Sequence, residues 1–278
     1  MVRMGVDGCR GGWLIAKTEG ERGNFSALSL SVVPTLAEAL REKALKEKAF
    51  KEKAFKEKAL KEKTLEKKAI KEKALKKKAV KEKATQLVLI DMPKGLLSDK
   101  ARKIEGLARQ LLKGQASTVF NVPVVDAVFA GDYQNASAIN YRMTGKKLSK
   151  QAWYLCPKIR ELDELLAEES SLSDEIFESH PELVFRLMAG AQLPKKKLAE
   201  GLSARLALLE QAGMPATQLV NNLIDQYPRS VCFADDAVDA LVLLLLAHSP
   251  SEDLDQEAEI DRRGIPINLK IPLRRSVE

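Results

Sequence analysis

Long apolar runs are missing from this 278-residue chain. The longest, Ala240–Ala247, falls well short of the roughly 18 residues that cross a bilayer and reads as a core helix, so no membrane partner is expected. The opening Met1-Val-Arg-Met-Gly5 passes straight into a strand-like segment, without the basic, apolar and small-residue regions of a secretion signal, and a cytoplasmic location is the expectation. Cysteine and histidine are scarce. Cys9, Cys156 and Cys232 are odd in number and far apart, with no C-x-x-C spacing and only His180 and His248 beside them, which argues against structural zinc and against a disulfide framework. There is no G-x-S-x-G elbow, which disfavours a Ser-His-Asp hydrolase. Aromatic residues make up only 5%, leaving little on which to stack bases, so Trp13, Trp153 and Tyr154 read as packing residues.

Against these absences, 45% hydrophobic residues are enough for one full-sized core or two small ones. The formal charge is +7, but Arg41–Ala84 alone holds 19 basic and 8 acidic residues, a net of +11, which leaves the remainder at −4. The basicity therefore belongs to one segment. From Glu42 to Ala84 the chain repeats a five-residue unit, with Leu45, Phe50, Phe55, Leu60, Leu65, Ile70, Leu75 and Val80 at constant spacing. Its residue types favour a helix, and Glu-to-Lys pairs four apart support one. The apolar positions wind round such a helix without forming a stripe, and a coiled coil needs spacings of three and four. The small and large apolar positions are adjacent rather than two apart, as a pentapeptide β-solenoid would have them. The expectation is a solvated helix, about 65 Å long at 1.5 Å per residue. It is either a tandem expansion of a surface helix or a polycationic arm for nucleic acid or acidic membrane.

Around the repeat, Gly5–Asp7, Trp13–Thr18 and Phe25–Val33 read as three antiparallel strands joined by short turns. Thr35 and Glu38 form a T-x-x-E helix start. Leu87–Asp91, stopped by Met92-Pro93, reads as a buried fourth strand, and Ile176–His180 as a fifth. Helices are expected over Asp99–Lys113, Ser149–Ser170, Phe185–Gly190, Ser203–Ala212 and Asp235–His248, with Ile265–Pro272 a final edge strand. This is an α/β protein.

The residues with chemical promise are acids at the ends of apolar segments, where a carboxylate is costly unless paired or bound to a cation. Asp7 ends the first strand and Asp91 the fourth. Asp236 and Asp239, three apart, share a face of the closing helix, with Asp235 in the N-cap position. If Asp7, Asp91, Asp236 and Asp239 meet, the all-oxygen cluster suits Mg2+ or Mn2+. Such ions in pairs activate water and stabilise the leaving oxygen of a phosphodiester. Singly, each acid also fits a turn or a helix cap. Glu178, His180 and Glu182 in S-H-P-E are candidates for a further ligand and a proton shuttle. Arg10, Lys94 and Lys158 are candidates for gripping a phosphate, whereas Lys195–Lys197 reads as a solvated loop.

Gly5-Val-Asp-Gly-Cys-Arg-Gly-Gly-Trp13, Ile90-Asp-Met-Pro93, Ser117-Thr-Val-Phe120, Gln151-Ala-Trp153, Pro157-Lys-Ile159, Glu178-Ser-His-Pro-Glu182, Phe185 and Asp235-Asp-Ala-Val-Asp-Ala240 together resemble the domain-of-unknown-function 429 family, described as predicted RNase H-like nucleases. The resemblance covers the chain outside the repeat. The closing Asp236–Ala240 is also similar to the end of the Holliday-junction resolvases, a related branch whose paired helix acids bind metal. What it implies is a single RNase H-like domain over residues 1–278, with three antiparallel strands and then parallel ones flanked by helices, and with the 41–84 helix inserted between strands three and four. It further implies Asp7, Asp91, Asp236 and Asp239 as catalytic metal ligands and nucleic acid as the partner; Glu182 of the S-H-P-E motif is the candidate for an added ligand on its own residues. Two departures stand out: the repeat replaces a short segment, and Lys94 replaces a small or apolar residue.

The expected function is metal-dependent hydrolysis of phosphodiester bonds in nucleic acid. The alternative is a non-catalytic RNase H-fold binding or scaffold protein that uses the repeat helix as an interaction arm. An actin-like or sugar-kinase-like phosphotransferase would need a second half-domain, for which the roughly 234 residues outside the repeat leave little room.

Overall fold

A computed structural model describes residues 1–40 and 86–274; the helix expected over 41–84 lies outside those residues. Strands β1 (Val2–Cys9), β2 (Gly12–Glu19), β3 (Ser29–Val33), β4 (Gln86–Ile90) and β5 (Ile176–Glu178) form one sheet in the order β3-β2-β1-β4-β5. The β1/β2 and β2/β3 pairs are antiparallel, and the β1/β4 and β4/β5 pairs are parallel. The first hairpin turns at Arg10 and Gly11, between the paired Cys9 and Gly12. Gly12 sits there at φ +130°, where a side chain would in addition drive a Cβ to 2.2 Å from the Val33 carbonyl oxygen. Only glycine accepts both conditions.

Alternation along the strands sorts two cores, because successive side chains point to opposite faces. Val2, Met4 and Val6 of β1, with Val88 and Ile90 of β4, face the long helix α4 (Lys150–Glu168) through Ile159 and Leu162. Leu14, Ala16 and Leu89 face the other way, against α8 (Ala234–His248), behind which lie α5 (Pro181–Ala189), α6 (Ala199–Gln211) and α7 (Ala216–Gln226). The apolar run Ala240–Ala247 is buried on all sides within α8, as a helix without a polar face requires. Gly5 lets this helix touch the sheet: a Cβ there would lie 2.0 Å from the Ala240 carbonyl oxygen and 2.3 Å from the Leu244 nitrogen.

Shorter helices α1 (Ile104–Leu111), α2 (Val125–Val128) and α3 (Tyr133–Thr144) complete the layer order. The α1 helix is shorter than the Asp99–Lys113 expected. The expected start at Thr35 is present: Thr35 Oγ1 accepts the Glu38 N–H at 3.3 Å, and residues 36–40 are helical. Ser149 caps α4, its Oγ accepting the Ala152 N–H at 3.1 Å. Three readings are corrected. Ile265–Pro272 is no edge strand of the main sheet: its two pieces, Pro266–Ile267 and Lys270–Pro272, pair with Glu259–Ile260 and Ser251–Asp253 in separate small sheets. Proline nitrogens interrupt the donor row there, and Asn268 turns the chain between the pieces by accepting the Asp255 and Leu269 N–H groups. The N-cap of α8 is Phe233, with Asp235 inside the first turn. Finally, α3 and α7 occupy stretches in which no helix was expected. Among the described residues, no helix is long and apolar enough to cross a membrane.

Candidate functional site

The β1/β4 register aligns Val6 with Ile90, so the next residues on the two parallel strands are Asp7 and Asp91. The Asp91 N–H still donates to the Val6 carbonyl, at 3.0 Å. Adjacent strands run about 4.8 Å apart, which sets the two carboxylates side by side on the face that carries Leu89 and Gly5. That is the face covered by α8. The helix runs antiparallel to β1, since its far end reaches Thr18 through His248 Nε2 at 2.6 Å. From the Gly5–Ala240 contact, two residues of strand advance about 6.6 Å and four residues of helix about 6 Å. The first turn of α8, with Asp236, therefore arrives level with Asp7, and Asp239 follows one turn on.

The electrostatics report the same convergence. Burial pushes the Asp7 carboxyl well above the usual range, and the charges of Asp239, Asp91 and Asp236 push it further. Burial likewise raises Asp239 to about 7, with Asp91 and Glu182 adding to it against Lys196. Asp91 is raised to about 7, again by burial first, with Glu178 and Glu182 adding to it against Lys196. Asp236 is raised by burial and by Asp235, while its Oδ2 accepts the Phe233 N–H at 2.8 Å and so closes the helix N-terminus. Asp7 and Asp239 are 8% and 4% exposed. The Oδ1 atom of Asp239 is buried and accepts no hydrogen bond among the described residues, an arrangement that costs about 1–3 kcal/mol or more for a charged group.

A cation that the sequence reading passed over is paired directly with this cluster. Lys196 Nζ lies 2.6 Å from Asp239 Oδ2 and 3.8 Å from Asp235 Oδ2. Burial opposes its charge, but Asp239, Asp7 and Asp235 outweigh burial and hold the ammonium above its ordinary range. Within Lys195–Lys197 no spacing links residue 196 to a helix 43 positions on, so only the tertiary structure shows it. Among the described residues, no three His, Cys, Asp or Glu side chains are set closely enough to hold a metal ion as they stand.

The other candidates fall on both sides of this boundary. Glu182, in the first turn of α5, lies close enough to act on Asp91 and Asp239, but Arg205 takes both its oxygens at 3.0 and 2.6 Å. Glu178 pairs in register with Ile90 and so points to the opposite face from Asp91; there it meets Arg102 at 2.6 Å and the Lys94 N–H at 2.7 Å. Lys94 itself is not brought to the cluster: its Nζ donates to the Ser173 carbonyl at 2.6 Å and lies 5.1 Å from the Phe177 ring centre. His180 caps α5 by accepting the Leu183 N–H, and burial lowers its pKa. Arg10 and Lys158 do lie beside the acids. With Tyr154, Phe233 and Asp236 they line a cavity of about 560 Å³. The Arg10 guanidinium stacks 4.8 Å from the Phe233 ring, and Lys158 Nζ, which donates to the Gly12 carbonyl, lies 4.6 Å from the Trp13 ring.

A mixed sheet with helices on both faces, and acids gathered where its two central parallel strands end, defines the class: an α/β protein with an acidic site at the carboxyl edge of its sheet. The chain belongs to the DUF429 family, described as proteins of unknown function, whose model matches residues 5–256. No curated protein and no solved structure matches it.

Proposed function

We propose that this protein is a divalent-metal-dependent nuclease with an RNase H-like fold, hydrolysing phosphodiester bonds in nucleic acid. The strand order β3-β2-β1-β4-β5, antiparallel on one side of β1 and parallel on the other, supports the fold assignment. The observation that carries the functional reading is the gathering of Asp7, Asp91, Asp236 and Asp239 from two strand ends and one helix turn into a single buried field.

Mg2+ or Mn2+ fits these residues on three counts. The donors are all carboxylate oxygens, the set that hard divalent cations prefer. Asp239 Oδ1 is buried and unpartnered. The ammonium of Lys196 already stands on Asp239 in the manner of a cation. When bound, such ions supply water activation and stabilisation of the leaving oxygen.

The remaining work belongs to the chain. Asp7 sits on β1, Asp91 directly follows β4 and Asp239 is on a helix packed against bare backbone at Gly5, so the backbone that carries the acids is fixed and only their side chains have to close on an ion. Glu182 falls outside the proposed ligand set because Arg205 occupies it. Arg10, exposed, and Lys158, half-buried, flank the cavity beside Asp236 and would take the phosphates of an incoming strand. The test is hydrolysis of a panel of RNA, DNA, hybrid and branched substrates with Mg2+ or Mn2+. The reading requires cleavage by the wild-type protein and its loss, by at least a hundredfold, in the Asp7→Asn plus Asp236→Asn double variant. Cleavage unchanged in that variant contradicts it.

A further inference from the structure

Lys196 is held in place from several directions. Its segment, between α5 and α6, is fastened by Arg205, whose Nη1 donates to the Pro194 carbonyl at 2.9 Å, and by Gln115, whose Nε2 donates to the Leu193 carbonyl at 2.9 Å. Below it, Gly201 comes so close that a Cβ would lie 2.1 Å from the Lys195 carbonyl oxygen. Arg205 is 1% exposed and is itself locked by both oxygens of Glu182. A solvated loop lysine needs none of this. A lysine that must reach one carboxylate does, because a four-carbon side chain loses much rotamer freedom when pinned, and fixing its backbone limits the further loss.

We propose that Lys196 is the resident cation of the site: it neutralises the carboxylate cluster in the metal-free protein, and a divalent ion binds at Asp239 only by displacing it. The inference rests on the nuclease reading for the identity of the incoming ion. Its grounds are geometric. The ammonium occupies Asp239 Oδ2 and lies 3.8 Å from Asp235 Oδ2, and the second oxygen of Asp239 has no donor among the described residues. A divalent ion entering at the free Oδ1 would stand on the same buried carboxylate as the ammonium on Oδ2, and two cations that close repel strongly, so the ion drives the ammonium off. Because the Lys196 side chain is 33% exposed, the displaced ammonium has a route to water at the mouth of the site, where the phosphate of a nucleic-acid strand would meet it. Glu182 and Arg205 are then positioning residues, acting through the segment that presents Lys196.

Full-length protein titrated calorimetrically with MnCl2 tests this. The Lys196→Met variant, which keeps the side chain's length without its charge, is expected to bind Mn2+ at least tenfold more tightly than wild type, while Lys196→Arg binds no more tightly. Gly201→Ala, which pushes the Lys195 backbone away, should also tighten Mn2+ binding, with circular dichroism showing an intact fold. Equal or weaker binding by Lys196→Met, alongside wild-type binding that Asp7→Asn abolishes, overturns the role of Lys196 and leaves the metal site standing. If neither wild type nor Lys196→Met binds Mn2+ at millimolar concentration, the metal reading and this inference fall together.

Discussion

At Asp239, one carboxylate oxygen holds the Lys196 ammonium and the other has no hydrogen-bond donor among the described residues, while Asp91 and Asp236 join it in acting on Asp7. The metal-free protein therefore folds against its own charges. Unfolded carboxylates titrate near 4, whereas Asp91 and Asp239 titrate near 7 in the folded chain. Between those values the folded state binds more protons than the unfolded one, so its stability falls as pH rises from about 4 to about 7 and is lowest above that window. Chemical denaturation of chelator-treated protein across this range checks the slope. The Asp7→Asn variant relieves part of the repulsion while its amide oxygen can still accept the Gly8 N–H. It should be more stable than wild type above pH 7 by about 1 kcal/mol, or about 2–4 °C in Tm, with the gain vanishing near pH 4. A variant less stable at pH 8 would mean that Asp7 is held by attraction and not by fold.

At the scale of elements, the decisive contact is α8 against β1 at Gly5. Gly5→Ala sets a methyl group into the backbone of the Ala240–Leu244 turn, and the helix must lift. Overpacking of this kind costs about 1–3 kcal/mol or more, and lifting the helix moves Asp236 and Asp239 from Asp7. The expected result is a Tm lower by at least 4 °C together with weaker Mn2+ binding; loss of stability alone would show that the helix tilts about its N-terminus. The cap of α3 is a milder case. Asp132 accepts the Asn135 N–H at 2.9 Å, so Asp132→Ala should lower stability by about 1 kcal/mol. This helix also shows where reading the chain stops short. Its N-cap Asp132 and its left-handed Gly145 at φ +71° are both written in the sequence. Between them, however, only Ala136 and Asn140 are buried, so no apolar period announces the helix. Strand β4 was legible because burial on both faces makes it a short apolar run, and β1 and β2 because a short Gly-rich turn separates them. The Ile265–Pro272 segment was misread because its apolar residues serve two small pairings, which no periodicity separates.

For the whole molecule, the candidate site was legible as a set of types and not as a place. Acids ending apolar strands stand out in one dimension because burial of charge is exceptional. Parity then decides which of them meet: Asp7 and Asp91 share the face of α8, while Glu178, one register step earlier, turns to the other. That distinction needs the pairing of strands far apart in sequence, and so does the arrival of Lys196. The charge map adds a separate expectation. Because +11 of the formal charge sits in Arg41–Ala84 and the site residues all lie elsewhere, replacing residues 42–84 with a short flexible linker should leave turnover within a few-fold of wild type. It should also weaken the salt dependence of nucleic-acid binding. Loss of turnover would bring the repeat into the site. Cation binding among these aspartates is the property on which the proposed activity depends. Crystals of the protein soaked in MnCl2 and measured at the manganese absorption edge should give an anomalous peak bounded by Asp7, Asp91 and Asp239, with the Lys196 ammonium displaced from Asp239. Clear density for these side chains with no peak between them, and Lys196 still on Asp239, would contradict it.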